Sequence, residues 1–69
     1  MNDKIHFCVF CIENVARALG KTGTQMYDEL EKSGLIENYI LAHFDALHTQ
    51  SKEYIVNDII EALNQKAAV

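Results

Sequence analysis

The sequence contains no proline, no tryptophan and only three glycines among its 69 residues. Proline and glycine are the residues that most often end a helix or form a turn, so their scarcity favours long helical segments. Long hydrophobic runs are also missing, because the apolar stretch 5–12 is interrupted by His6 and followed by Glu13. The stretch is too short to span a bilayer and lacks the form of a secretory leader, so we expect a protein outside the membrane.

Basic residues are few and scattered. The chain has six Lys and Arg against ten Asp and Glu, which gives a formal net charge of −4. Nucleic-acid binding depends on clusters of basic side chains that neutralise phosphates, so this charge argues against DNA, RNA and anionic membranes as partners. Two cysteines do not make a disulfide framework, and together with the polar residues 1–4 they indicate a reducing compartment. We expect a cytoplasmic protein.

The chain is long enough for one small hydrophobic core. Its 69 residues, 49% of them hydrophobic, fit a single domain over residues 1–69. A core of this size supplies roughly 3–5 kcal/mol of net stability, and natural chains of this length often gain more by oligomerisation. We therefore expect self-association as a homo-oligomer.

Local signals predict an all-α fold, a compact four-helix single domain. The predicted helices cover about residues 3–19, 22–33, 35–47 and 52–65. Gly20 and Gly34 are suited to the left-handed conformation that follows a helix end. Thr22 and Gln25 have the spacing of a capping box, and Ser51 is placed to cap the last helix.

The first predicted helix has more apolar residues than one face can hold. Eleven of the fifteen residues from Ile5 to Leu19 are apolar. The expected core stripe consists of Ile5, Cys8, Val9, Ile12, Val15, Ala16 and Leu19. Phe7, Cys11 and Ala18 widen that stripe, and Phe10 projects near Asn14 and Arg17. A helix that is apolar nearly all round is buried nearly all round. Either the other helices cover the second side of this helix or a protein partner does, and the pattern favours a protein interface at Phe7, Phe10 and Cys11.

Cys8 and Cys11 have the CxxC spacing of zinc-binding and redox motifs. Redox motifs of this kind follow a strand and begin a helix, whereas this pair lies in the middle of a predicted helix. A structural zinc site needs two further ligands, and His43 and His48 have a permitted spacing but lie on opposite faces. We interpret both cysteines as small buried hydrophobic residues and expect no metal and no cofactor.

His48 lies near Asp45 and Glu53, a pairing that general acid–base catalysis can use. No glycine-rich phosphate loop or nucleophile motif accompanies it, so we expect no catalysis and identify no small-molecule substrate. We interpret His43 as a boundary residue that makes one hydrogen bond. The second and third helices have the order of a helix-turn-helix, but the third presents acidic residues without Lys or Arg, which opposes contact with phosphate.

Four segments together resemble a small bacterial family, the domain of unknown function 3791. They are Phe10-Cys11-Ile12-Glu13, Met26-Tyr27-Asp28-Glu29-Leu30, Asp45-Ala46-Leu47-His48-Thr49 and Glu53-Tyr54-Ile55-Val56-Asn57-Asp58-Ile59. The resemblance covers nearly the whole chain, and its most specific part is the turn around His48 and Thr49. It implies a compact helical domain without assigned activity or catalytic residues. Genes of that family often lie beside genes of another family that resembles ADP-ribosyltransferases, which suggests an antitoxin-like or accessory binding role.

The signature turn of His48, Thr49 and Tyr54 has two interpretations. It is either a structural corner, in which His48 or Thr49 accepts from exposed helix N–H groups and Tyr54 packs over the turn, or a recognition surface. The sequence as a whole predicts a protein-interaction module that binds itself or a neighbouring gene product. The alternative is a small DNA-binding transcription regulator of the antitoxin type, and the third is a metal or redox protein using Cys8 and Cys11.

Overall fold

A computed structural model describes residues 3–67, and that part of the chain is all-α, as predicted. Its elements are α1 (Asp3–Leu19), α2 (Gly23–Lys32), a π-helix (Ile36–Leu41), the one-turn α3 (Phe44–Leu47) and α4 (Lys52–Ala67). The helix bounds predicted for α1 and α2 are confirmed within one residue, and α4 continues two residues further than predicted. Residues 1–2 and 68–69 of the predicted domain lie outside the described residues.

The helix ends have the local hydrogen bonds that the sequence predicts. Gly20 has a φ of 68°, and Lys21 N donates to the Ala16 carbonyl at 2.9 Å, the longer bond of a Schellman motif. The capping box is complete, because Gln25 N donates to Thr22 Oγ1 at 3.1 Å and Thr22 N donates to Gln25 Oε1 at 2.9 Å. Ser51 Oγ accepts from Tyr54 N at 3.1 Å and so caps α4.

The predicted third helix, 35–47, is wrong as one continuous element. It divides into the π-helix and α3, and His43 between them leaves helical geometry with a φ of −108° and a ψ of 23°. A π-helix forms i→i+5 hydrogen bonds, so its side chains follow a different angular spacing from those of an α-helix. Ile36, Ile40 and Leu47 are buried as predicted, whereas His43 is exposed because the chain bends at that point.

The hydrophobic core surrounds α1, which packs against α2, α4 and the π-helix. Its side chains with almost no exposed surface are Cys11, Val15, Met26, Leu30, Ile40, Ile55 and Ile59. Each of the three longest helices contributes at least two of them, spaced three or four residues apart as one face of a helix requires. The neighbours of α1 therefore bury five of its eleven apolar residues within a single copy of the chain, namely Cys8, Cys11, Ile12, Val15 and Ala16.

The predicted core stripe of α1 is rotated relative to the observed one. Ile5, Val9 and Leu19 were expected in the core, but they are 56%, 47% and 39% exposed. Cys11, expected on the outer side, is completely buried. Periodicity gives the width of an apolar arc, but the positions of the neighbouring helices decide which part of the arc is covered.

Candidate interaction surface

Four ring side chains form a continuous row across α1, α3 and the residue after α3. The Phe10 and Phe7 rings stack with their centroids 6.3 Å apart, and Phe7 meets Phe44 edge to face at 5.4 Å. Phe44 in turn stacks on the His48 ring at 4.5 Å, with the two planes 8° apart. We call Phe10, Phe7, Phe44 and His48 the aromatic row.

The aromatic row lies at the surface and is supported from below. Phe10 is 38% exposed and His48 is also exposed, while Phe7 and Phe44 between them are half-buried. Phe7 packs against the core, so the middle of the row is fixed and its two ends are open to solvent. Such a row presents rigid ring surface, which contributes contact area at a small cost in side-chain entropy.

The structure brings the predicted interface and the predicted signature turn together on one surface, but Cys11 is not part of it. Phe7 and Phe10 of the predicted interface lie in the same row as His48 of the predicted signature turn. Cys11 does not belong to a surface, because α2, α4 and the π-helix pack around α1 and leave the Cys11 side chain no exposed area. No pattern in the sequence placed Phe44 on this surface, although it precedes His48 by the four-residue spacing of a helix face.

Both cysteines are free thiols in the core. Burial raises the pKa of Cys11 to about 12, and the charge of Cys8 adds to this shift. Burial also raises the pKa of Cys8, with a further contribution from Glu31. Within residues 3–67, no group of three or more His, Cys, Asp or Glu side chains is arranged to hold a metal ion. The thiolate, which is the form that reacts and binds metals, is therefore disfavoured at both positions.

His48 and Thr49 of the signature turn form hydrogen bonds close to the turn, but these bonds differ from the predicted ones. His48 Nδ1 donates to the Phe44 carbonyl at 2.8 Å, and Thr49 Oγ1 donates to the Ala46 carbonyl at 3.2 Å. These residues therefore satisfy carbonyl groups at the end of α3, and the N–H groups of α4 are capped by Ser51 instead. Tyr54 was expected to pack over the turn, yet 52% of its surface is exposed.

The segment expected to imitate a recognition helix is not a regular helix. It consists of the six-residue π-helix and the four-residue α3, which a turn at His43 separates. The sequence has no Lys or Arg between Lys32 and Lys52, so this segment offers phosphate no basic side chain. His43 itself lies at the surface beside Tyr39, with ring centroids 5.2 Å apart.

A groove between α1 and the first turns of α4 is a feature that the sequence analysis missed. It has a volume of about 260 Å³ and is lined by Asn14, Arg17 and Ala18 of α1 and by Lys52, Glu53, Val56 and Asn57 of α4. Asn14 links the groove to the aromatic row, because its Nδ2 donates to the Phe10 carbonyl at 2.8 Å. The only sequence signal was the position of Arg17 and Asn14 on the side of α1 that carries Phe10.

A family model described as protein of unknown function (DUF3791) matches residues 6–66. The chain belongs to the DUF3791 family. The match confirms the resemblance drawn from the sequence, and the matched segment includes the aromatic row, the signature turn and the groove of this DUF3791 domain. No curated protein and no solved structure matches the chain. Among the helices of residues 3–67, none is long and apolar enough to cross a membrane.

Proposed function

We propose that this DUF3791 domain is a protein-interaction module that acts by binding and not by catalysis. The observation that supports this proposal is the aromatic row, whose end residue Phe10 remains 38% exposed although the core surrounds α1. Aromatic side chains are enriched in protein interfaces, and clusters of exposed apolar residues commonly mark them. Ile5 and Val9, also in the first half of α1, are exposed as well.

The aromatic row is suited to binding because its rings are already held in place in the free chain. Each ring contacts the next, and Phe7 packs against the core while His48 is fixed by its bond to the Phe44 carbonyl. A surface that is already ordered loses less conformational entropy on binding than a flexible one. The binding partner is either a second copy of the chain, which the small core favours, or a neighbouring gene product with an antitoxin-like or accessory relation to it.

The test compares Phe10→Glu with a matched control, Tyr27→Glu. Tyr27 is an aromatic residue on α2 that is 50% exposed and takes no part in the aromatic row, so the control introduces the same charge elsewhere. Light scattering coupled to size exclusion at high micromolar concentration measures self-association. A pull-down from the native cell, read by quantitative mass spectrometry, measures binding to other proteins.

We expect that Phe10→Glu abolishes either the dimer or the enrichment of a specific protein, while Tyr27→Glu preserves it. A carboxylate placed on an apolar interface loses hydration without gaining a partner, which explains the expected loss. Circular dichroism of both variants checks that the fold is unchanged. The proposal is wrong if the chain is a monomer in every variant and the captured proteins do not depend on Phe10.

A further inference from the structure

We propose that the groove between α1 and α4 binds a carboxylate-bearing segment of a partner protein, an apolar residue flanked by Asp or Glu. The inference rests on the proposed interaction function, since it names the chemistry of the partner segment next to the aromatic row. It starts from Arg17 and Lys52, which face the same groove from two different helices.

Two other basic residues of the chain already form ion pairs. Lys21 pairs with Glu29 at 2.5 Å, and Lys32 pairs with Asp28 at 3.0 Å. By contrast, neither Arg17 nor Lys52 forms an ion pair within residues 3–67. Glu53 is the one acidic side chain among the groove residues, so the groove has a formal charge of +1 in a chain with a net charge of −4.

The shape and the remaining residues of the groove fit a peptide segment. Ala18 and Val56 provide apolar surface, and Asn14 and Asn57 provide amide groups that can bond to a peptide backbone. Asn14 already donates one N–H to the Phe10 carbonyl, so its position is fixed. The guanidinium group of Arg17 matches the two oxygens of a carboxylate, which Lys52 can approach as a point charge.

Other occupants fit less well. Two cations without a surrounding basic cluster are too few for nucleic acid, where affinity grows with the number of neutralised phosphates. Asp28 and Glu29 of α2 in a second copy already pair with basic side chains of their own chain, so they are less available to the groove. The groove therefore points to a different protein as the source of the carboxylates.

The experiment is an NMR titration of the ¹⁵N-labelled full chain with the peptide acetyl-Glu-Leu-Glu-amide. The matched probe is acetyl-Gln-Leu-Gln-amide, which has the same length and no charge. We expect the acidic peptide to shift the amide signals of residues 14–18 and 52–57, with a dissociation constant on the order of 1–10 mM for so small a fragment. Binding should weaken on raising the salt from about 0.05 M to 0.5 M, because screening reduces exposed ion pairs.

Three charge-neutralising variants make the assignment specific. Arg17→Gln and Lys52→Gln should each weaken binding of the acidic peptide about threefold to fivefold, the size expected for one exposed ion pair. Lys66→Gln is the control. Lys66 is an exposed cation at the other end of α4, so this substitution removes the same charge far from the groove. It should leave the binding unchanged.

The inference is overturned if the acidic peptide gives no shifts in the groove, if the neutral peptide binds equally well, or if Lys66→Gln weakens binding as much as Arg17→Gln. None of these outcomes bears on the aromatic row, which Phe10→Glu tests separately. If Phe10→Glu has no effect on protein binding but the acidic peptide still binds, the proposal for the aromatic row is wrong and the groove is a carboxylate site independent of it.

Discussion

Substituting the buried thiol of Cys11 changes how the stability of the chain depends on alkaline pH. The Cys11 side chain has no exposed surface, and burial raises its pKa from the ordinary 9.0 to about 12. Below pH 9 the thiol is protonated in both the folded and the unfolded chain, so its contribution to stability is fully present. Between pH 9 and 12 the unfolded chain loses this proton while the folded chain keeps it, so the free energy of unfolding falls.

The size of this fall follows from the two pKa values. The limiting slope is about 1.4 kcal/mol per pH unit for one thiol. From pH 8 to pH 10 the loss from Cys11 therefore comes to about 1.4 kcal/mol, because pH 10 lies one unit above the unfolded pKa and well below the folded one. In a chain of this length, with roughly 3–5 kcal/mol of net stability, that is a large fraction.

The assay is urea unfolding followed by circular dichroism, with a reductant present, on the wild-type chain and on Cys11→Ala. All other side chains are the same in both proteins, so the difference between the pH dependences of their free energies of unfolding isolates Cys11. The cavity left by Cys11→Ala lowers stability equally at both pH values and cancels in this comparison. If the free energy of unfolding falls by the same amount from pH 8 to pH 10 in both proteins, Cys11 is not the buried, protonated thiol described above.

The remaining predictions concern elements that hold the surface in place, and all are measured by urea unfolding. Ser51→Ala should lower stability by about 1 kcal/mol through loss of the α4 cap, while equal stability would mean that water replaces the hydroxyl. Ile59→Ala should cost about 2–5 kcal/mol and leave much of the chain unfolded, whereas Ile59→Val should cost only about 0.5–1.5 kcal/mol. Gly34→Ala should cost roughly 1–2 kcal/mol, because Gly34 has a φ of 79°. Gly23→Ala is its control, since an added Cβ there meets nothing within 4 Å, and a loss similar to that at Gly34 would contradict the argument from φ.

The parts of the fold that the sequence predicted well are those fixed by neighbouring residues. The capping box of Thr22 and Gln25, the Schellman end at Gly20 and the cap at Ser51 each depend on contacts within about five residues. The break at His43 had no such signal, because no Gly or Pro stands between Leu35 and Ser51. The path of this segment depends on its packing against α1 and α2, which periodicity does not contain.

The candidate site was predictable only in part, for a similar reason. Phe7, Phe10 and His48 were singled out separately, the first two from the width of the apolar arc and the last from the signature turn. Their connection requires Phe44, whose ring contacts both Phe7 of α1 and His48 after α3. The groove was missed because Arg17 and Lys52 are far apart in the sequence and meet only when α1 packs against α4.

The central position of α1 in the fold also changes the interpretation of its many apolar residues. An excess of apolar residues predicts an interface only when the rest of the chain cannot cover it, and here three elements cover α1. Cys11, once part of the predicted interface, is accounted for by the core alone. The case for binding therefore depends on the apolar side chains that remain exposed after those three elements are in place, and not on the number of apolar residues in α1. Phe10, which joins the aromatic row, is one of them, together with Ile5, Val9 and Leu19. A substitution at Phe10 tests function, whereas one at Cys11 tests only the fold.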